Sequence, residues 1–267
     1  MKSRKSVFIF LTIFASVIIM AYFILQLNNQ YDYDQNHIPL KFGDNFISMV
    51  EGNNDIGFNI FGVQKVASTD DSLKESVTSI AFNNSNIEVI DFQIDEGMVY
   101  QDHKLINIMV TAHVLSDKME SADQLLIQMG HEDVKAYPFG KLTIQKNELD
   151  QTQHLEPSSA YTVAYPSLSL DVRVKNKTDK PISFLSIYDL TEEIQYEFKE
   201  PLTINANEFK ELKINDFHLN SKQIPDFITI SPILSYTLEN RKYEYSMNGV
   251  LYGVLDSDKD KIKKMID

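Results

Sequence analysis

From Val7 to Leu27 the chain reads VFIFLTIFASVIIMAYFILQL, 21 residues without a charge. At ~1.5 Å rise per residue, a helix of that length covers roughly 31 Å, the thickness of a bilayer's hydrocarbon core. A helix also satisfies its own backbone hydrogen bonds, which lipid demands. The polar interruptions are mild: Thr12 and Ser16 can bond back to the helix, and Gln26 falls at the headgroup end. Lys2, Arg4 and Lys5 precede the run and no cation closely follows it, so the positive-inside rule puts the N-terminus in the cytoplasm. The competing reading is a cleaved signal peptide. Its apolar core is about 7–15 residues, and Ile19 two positions before Ala21 makes a poor cleavage site. The expectation is an uncleaved anchor: residues 1–6 a cytoplasmic tail, 7–27 a transmembrane helix, and all later residues extracytoplasmic. A six-residue tail holds no signalling domain, so a signal crossing the membrane would need a partner within it.

The formal charge is −13, and removing the +3 of residues 1–28 leaves −16 for the remaining 239 residues. That length suffices for one large or two ordinary cores. The acidic balance argues against nucleic acid and against docking to anionic lipid. It is compatible with cationic peptides, basic wall polymers or divalent ions. No cysteine occurs, which excludes a disulfide framework and a lipid-modified cysteine. With the Ile, Asn and Lys usage, this points to a bacterial surface protein. The sequons at Asn83 and Asn176 then read as chance matches in an Asn-rich chain.

Residues 28–37 are polar and aperiodic, a juxtamembrane stalk. A membrane-proximal α+β domain is expected over 38–148. In it, Ile56–Val66, Ile87–Ile94 and Leu105–Leu115 have strand composition, the last with Ile106, Ile108, Val110 and Ala112 alternating. Ser72-Leu-Lys-Glu75 has the form of a capping box, and Leu73, Val77 and Ile80 keep helical spacing, which predicts a helix over Leu73–Ala81. Met119, Ala122, Leu126 and Met129 do the same ahead of Gly130, favouring a helix within Asp117–Met129, although Leu125–Met129 also suits a strand. Tyr137-Pro138-Phe139 reads as a turn that opens a strand over Gly140–Glu148. Asn147–Ser159 reads as the interdomain linker.

After it the pattern is β throughout. Leu168, Leu170, Val172 and Val174 alternate before a turn at Asn176–Pro181. Short strands follow at Ile182–Ile187, Ile194–Phe198, Leu202–Ile204, Phe209–Ile214, Phe227–Leu238 and Tyr243–Val250, with Pro232 marking an edge or a bulge. Such spacing predicts an antiparallel two-sheet sandwich over 160–254. The stretch LSLDVRVKNKTDKPI, Leu168–Ile182, resembles the strand–turn–strand opening of immunoglobulin-like modules in Gram-positive extracytoplasmic proteins. The resemblance implies a fold and no activity. Residues 255–267 read as a charged C-terminal tail, helical, with Ile262 and Ile266 as a small apolar stripe.

Chemistry-bearing patterns are sparse. Asp256, Asp258 and Asp260 begin a calcium-loop spacing, but Lys261 replaces its glycine; Asp32, Asp34 and Asn36 repeat the spacing with His37 in that place. The six histidines are scattered without metal-site spacing, and His113, opposite the inward positions of its strand, reads as a surface residue. No Gly-x-Ser-x-Gly elbow or phosphate-binding glycine loop occurs. No catalytic, cofactor or metal residue is therefore assigned. Tyr243 and Tyr245, on one strand face, are the candidate ligand-binding residues, as a sugar or peptide platform, against the plainer role of cross-strand aromatic packing.

The sequence thus predicts a mainly β, single-pass, membrane-anchored protein with an α+β proximal domain and an immunoglobulin-like sandwich. Its expected role is non-enzymatic binding, or service as an accessory to a membrane or envelope protein partner. Alternatives are an envelope hydrolase or inhibitor acting on wall or peptide substrates, and a sensor or immunity protein against cationic peptides. No cofactor and no nucleic acid is expected; the lipid bilayer is met through Val7 to Leu27.

Overall fold

A computed structural model describes residues 40–52, 55–66, 72–146, 154–157, 162–221, 223–253 and 259–267. The expected tail, transmembrane helix and stalk lie outside them, as do Asp32, Asp34, Asn36, Asp256 and Asp258 of the calcium-like spacings. Among the described residues no helix is long and apolar enough to cross a membrane.

The first block holds β1 (Leu40–Phe42), β2 (Asn45–Glu51), β3 (Ile56–Lys65), the one-turn α1 (Leu73–Ser76), β4 (Val77–Phe82), β5 (Ile87–Tyr100), β6 (His103–Val114), β7 (Glu120–Met129) and β8 (Lys135–Lys146). The second holds β9 (Leu155–Pro157), β10 (Thr162–Ala164), β11 (Leu170–Asn176), β12 (Ile182–Tyr188), β13 (Ile194–Ile204), β14 (Phe209–Ile214), β15 (His218–Leu219), β16 (Phe227–Ile230), β17 (Ile233–Leu238), β18 (Arg241–Ser246), β19 (Val250–Tyr252) and α2 (Lys259–Ile266). Leu40–Asp267 forms one compact unit, mainly β.

Four sheets stack in sandwich-like layers. One has the order β1-β3-β6-β5 and is antiparallel throughout. It packs on a seven-stranded sheet, β10-β19-β16-β2-β8-β7-β4. Phe58 of β3 meets Phe82 of β4 at 6.1 Å between ring centroids, and Phe82 meets Phe139 of β8 at 5.8 Å. The far face of β2, β16 and β19 contributes Phe46, Ile228, Ile230 and Val250 to a second core. That core lies between a three-stranded sheet, β14-β11-β9, and a five-stranded sheet, β15-β13-β12-β17-β18. β2 runs parallel to both its neighbours and is buried on both faces, which explains its largely apolar centre, FISMV, interrupted only by Ser48. Strands from before and after 147–159 therefore lie side by side in the seven-stranded sheet.

The proximal region differs from the α+β expectation. The predicted helix over Leu73–Ala81 stops at Ser76, and the favoured helix within Asp117–Met129 is strand β7. Both misreadings have one cause. β-Bulges fall between Val77 and Ser79 and between Ala122 and Gln124. Each bulge lengthens one step of the inward pattern, so Val77, Ile80 and Phe82, and Ala122, Leu125, Ile127 and Met129, are buried at spacings that start with three. A step of three followed by twos imitates a helical face over a short window. The capping box fails too: Ser72 Oγ donates to Glu96 Oε1 of β5 at 2.8 Å, and no side chain caps α1 from Ser72.

Other boundaries shift for readable reasons. Tyr137-Pro138-Phe139 lies within β8, where a register shift opposite Gln124 accommodates the proline. Ile194–Ile204 is continuous through Pro201, which falls in the irregularity of the β12–β13 ladder between Glu197 and Leu202, where no ladder donor is needed. Pro232 separates β16 from β17 and carries the chain from one sheet to another. Asn176, at the end of β11, is fully buried; its Nδ2 donates to the carbonyls of Lys180, Ile204 and Asn205, while its Oδ1 accepts from the N–H and hydroxyl of Thr178. The Asn-x-Thr motif is thus a turn lock. The C-terminal segment is not a solvated tail: α2 buries Ile262 and Met265 against Phe61, Val63, Leu105, Phe227 and Leu251.

Candidate functional site

The end of β6 gathers three side chains that can hold a cation. Ile56 faces Ala112 across the β3–β6 ladder, so Asp55, one residue earlier, comes opposite His113. On β6 the inward residues are Ile106, Ile108, Val110, Ala112 and Val114, and His113 therefore points to the outer face. Glu88 of β5 faces His113 from the other side. Glu51 ends the doubly buried β2 and is 2% exposed. The Leu115 N–H donates to Asn86 O on the β5 side, so the N–H of Val114 points away from β5, where Glu51 Oε2 accepts it at 3.2 Å. This fixes the carboxylate, and its Oε1 then lies 2.7 Å from His113 Nδ1. Asp55 Oδ1 lies 3.4 Å from the same nitrogen. The three donor atoms fall within 4.8 Å of one another. Glu51 forms a closed floor, whereas the His113 and Asp55 side chains are 37% and 45% exposed and form an open mouth. Among the described residues, Glu51 has no lysine or arginine in ion-pair range.

A second buried carboxylate shows what a purely structural acid looks like here. Asp189, fully buried after β12, accepts from Ser48 Oγ (2.7 Å), Thr191 N (2.8 Å), Thr191 Oγ1 (2.6 Å) and Ile194 N (2.7 Å). Those donors saturate it and close the β12–β13 turn onto β2. Glu51 has one backbone N–H and one imidazole.

The tyrosines singled out in the sequence lie on β18. Tyr245 is buried in the second core, and burial together with the charge of Glu156 pushes its hydroxyl up to about 12. Tyr243 stacks on Tyr236 of β17 at 5.6 Å, with His154 edge-on at 4.8 Å. His154 Nδ1 and Tyr236 Oη are 2.9 Å apart, and burial raises Tyr236 to about 12, helped by Tyr243 and Tyr245. These rings face one another and the core. A groove of about 400 Å³, lined by Gln195, Tyr196, Glu197, Lys199, Asp216 and His218, opens at the β13–β15 edge. Near α2, Lys264 Nζ pairs with Asp226 Oδ1 at 2.9 Å and Lys261 Nζ donates to Asp226 O at 2.7 Å, which anchors the helix.

The grouping of Glu51, Asp55 and His113 is absent from any local spacing. The alternation of β6 places His113 outward, but the β3–β6 register and the reach of β2 are needed to bring the two acids to it.

No protein-family model matches the chain, and no curated protein matches it. Among solved structures, a protein of unknown function from Porphyromonas gingivalis W83 is similar at 13% identity, covering 81% of this chain and 100% of that one, with a TM-score of 0.23. CBD12 from CALX1.2 is similar at 12% identity, over 76% and 82%, with a TM-score of 0.21. Likenesses at that level say nothing of this chain's activity.

Proposed function

We propose that this chain is a membrane-anchored, extracytoplasmic, non-enzymatic binding or accessory protein of a bacterial cell envelope. The observation that carries the reading is the apolar run Val7–Leu27, preceded by three cations and followed, after 12 residues, by a β unit whose first described strand starts at Leu40. Twelve residues reach at most about 40 Å when fully extended, so the run acts as a short tether. The two sheets that enclose the second core are read as an immunoglobulin-like sandwich, in keeping with the Leu168–Ile182 resemblance. The non-enzymatic part rests on the sequence, which carries no nucleophile elbow, no thiol and no phosphate-binding glycine loop.

The test is made on cells expressing the full chain with a C-terminal tag. The protein is expected to resist alkaline carbonate extraction, to lose its tag to external protease, and to crosslink to a second membrane or envelope protein. Release of soluble protein, a tag protected inside intact cells, or turnover of wall or peptide substrates by the purified protein would each refute the reading.

A further inference from the structure

We infer that Glu51, Asp55 and His113 form a binding site for a divalent transition-metal ion with the preferences of zinc. The inference is independent of the anchoring proposed above.

Two ligands bound at about 2.0–2.2 Å to one ion, at tetrahedral or octahedral angles, lie roughly 2.8–3.6 Å apart. Glu51 Oε1 and Asp55 Oδ1 stand 2.7 and 3.4 Å from His113 Nδ1. One nitrogen thus faces two carboxylate oxygens, Asp55 within that range and Glu51 just short of its lower end, and the three atoms lie within 4.8 Å of one another. A proton on Nδ1 can make a good hydrogen bond to only one of them; a cation in its place is shared by all three.

A buried carboxylate needs compensation, by several hydrogen-bond donors or by a cation. Asp189 takes the first course with four donors. Glu51, 2% exposed, has two partners, the Val114 N–H and the imidazole of His113 at 2.7 Å, and is aimed at the Asp55–His113 mouth. No lysine or arginine among the described residues answers it. A metal ion supplies that charge without disturbing the Val114 hydrogen bond, because Glu51 uses its two oxygens separately.

One imidazole and two carboxylates suit zinc and its first-row neighbours, whereas calcium and magnesium favour all-oxygen shells. The exposed sides of Asp55 and His113 leave room for water to complete the coordination. Glu88, exposed and directly across the ladder from His113, adds negative charge at the mouth.

The experiment uses the full-length protein in detergent, stripped with chelator and titrated with zinc chloride by calorimetry. One zinc per chain is expected. Glu51→Gln keeps an acceptor for Val114 and His113→Gln keeps polarity; each should weaken zinc at least tenfold. His131→Gln, in the β7–β8 turn, should change nothing, and calcium should bind at least a hundredfold more weakly than zinc. If the buried Glu51 variant does not fold, Asp55→Asn at its exposed position gives the same readout, with a loss of at least tenfold. Cobalt in the wild-type protein should give visible d–d bands that zinc abolishes. Absence of saturable zinc binding, or binding that survives both the His113 and Asp55 variants, overturns the inference.

Discussion

Asp189 joins two sheets, and its removal gives the sharpest test of the packing described here. In Asp189→Ala the N–H of Ile194 and the hydroxyl of Ser48 lose their acceptor inside the protein, where Ser48 is fully buried and the Ile194 bond is enclosed. A buried donor left without a partner costs about 1–3 kcal/mol, so the two together cost about 2–6 kcal/mol. Thr191 lies nearer the surface and its groups turn to water, so it contributes less. Ser48→Ala alone removes one donor of four and should cost about 1–2 kcal/mol. In the double variant both the orphaned hydroxyl and the separate cost of Ser48→Ala are gone, and the loss should fall short of the sum by about 2–5 kcal/mol. The chain has no tryptophan and 13 tyrosines, so urea unfolding is best followed by far-UV circular dichroism with tyrosine fluorescence as the second probe. An Asp189→Ala stability within about 0.5 kcal/mol of wild type, or strict additivity in the cycle, would show that the Ser48–Asp189 clamp does not hold the sheets.

Three further outcomes follow from single positions. Partial burial raises the carboxyl of Glu96, but hydrogen bonds from Ser72, Lys104 and the Lys74 N–H outweigh it and hold it below the ordinary glutamate value. The unfolded state then binds the proton first, so this stabilisation is complete above about pH 4.5 and is lost as pH falls through the depressed value. Glu96→Gln should flatten that acid limb in a pH series of melting curves. Gly140 has φ +110°, and a Cβ there would stand 2.1 Å from Asn45 O, so Gly140→Ala should cost about 3 kcal/mol or more, or prevent accumulation of folded protein, as read by urea midpoint and soluble yield. Ile262 of α2 is 1% exposed against Phe227 and Leu251, and Ile262→Ala should cost about 2–4 kcal/mol and speed proteolysis at the C-terminus.

What was legible in the sequence, and what was not, divides along one line. Strands with unbroken alternation were readable: β6 through Ile106, Ile108, Val110 and Ala112, and β11 through Leu170, Val172 and Val174. Where a bulge interrupts the pleat, alternation fails, and the chain from Val77 or Ala122 takes on a helix-like spacing. β2 has no alternation because both its faces are covered, so nothing local marked it as the centre of the largest sheet. The candidate site suffers the same limit. Glu51 and Asp55 stand four apart across the end of one strand and the start of the next, and His113 lies about sixty residues further on. The aromatic row at Tyr243 and Tyr245 was visible, but whether it faced solvent depended on the register with Leu234 and Tyr236. The helical C-terminus was readable in its pattern, whereas its docking on Phe227 depended on a partner from another sheet.

The place of β2 has a consequence for how the chain comes to be folded. Its residues Asn45–Ser48 pair with Phe227–Ile230, some 180 positions later, and on the other side Asn45–Glu51 pair with Gly140–Lys146. A chain that emerges from its N-terminus cannot complete this sheet as it appears. One edge of β2 stays unpaired until nearly the last strand has arrived, and so long a loop makes closure slow. During that interval the half-made layer presents a free, apolar strand edge, which invites pairing with any other chain nearby. Assembly order, rather than final stability, is then the vulnerable step: truncations that remove β16 should yield aggregates instead of a smaller stable fold.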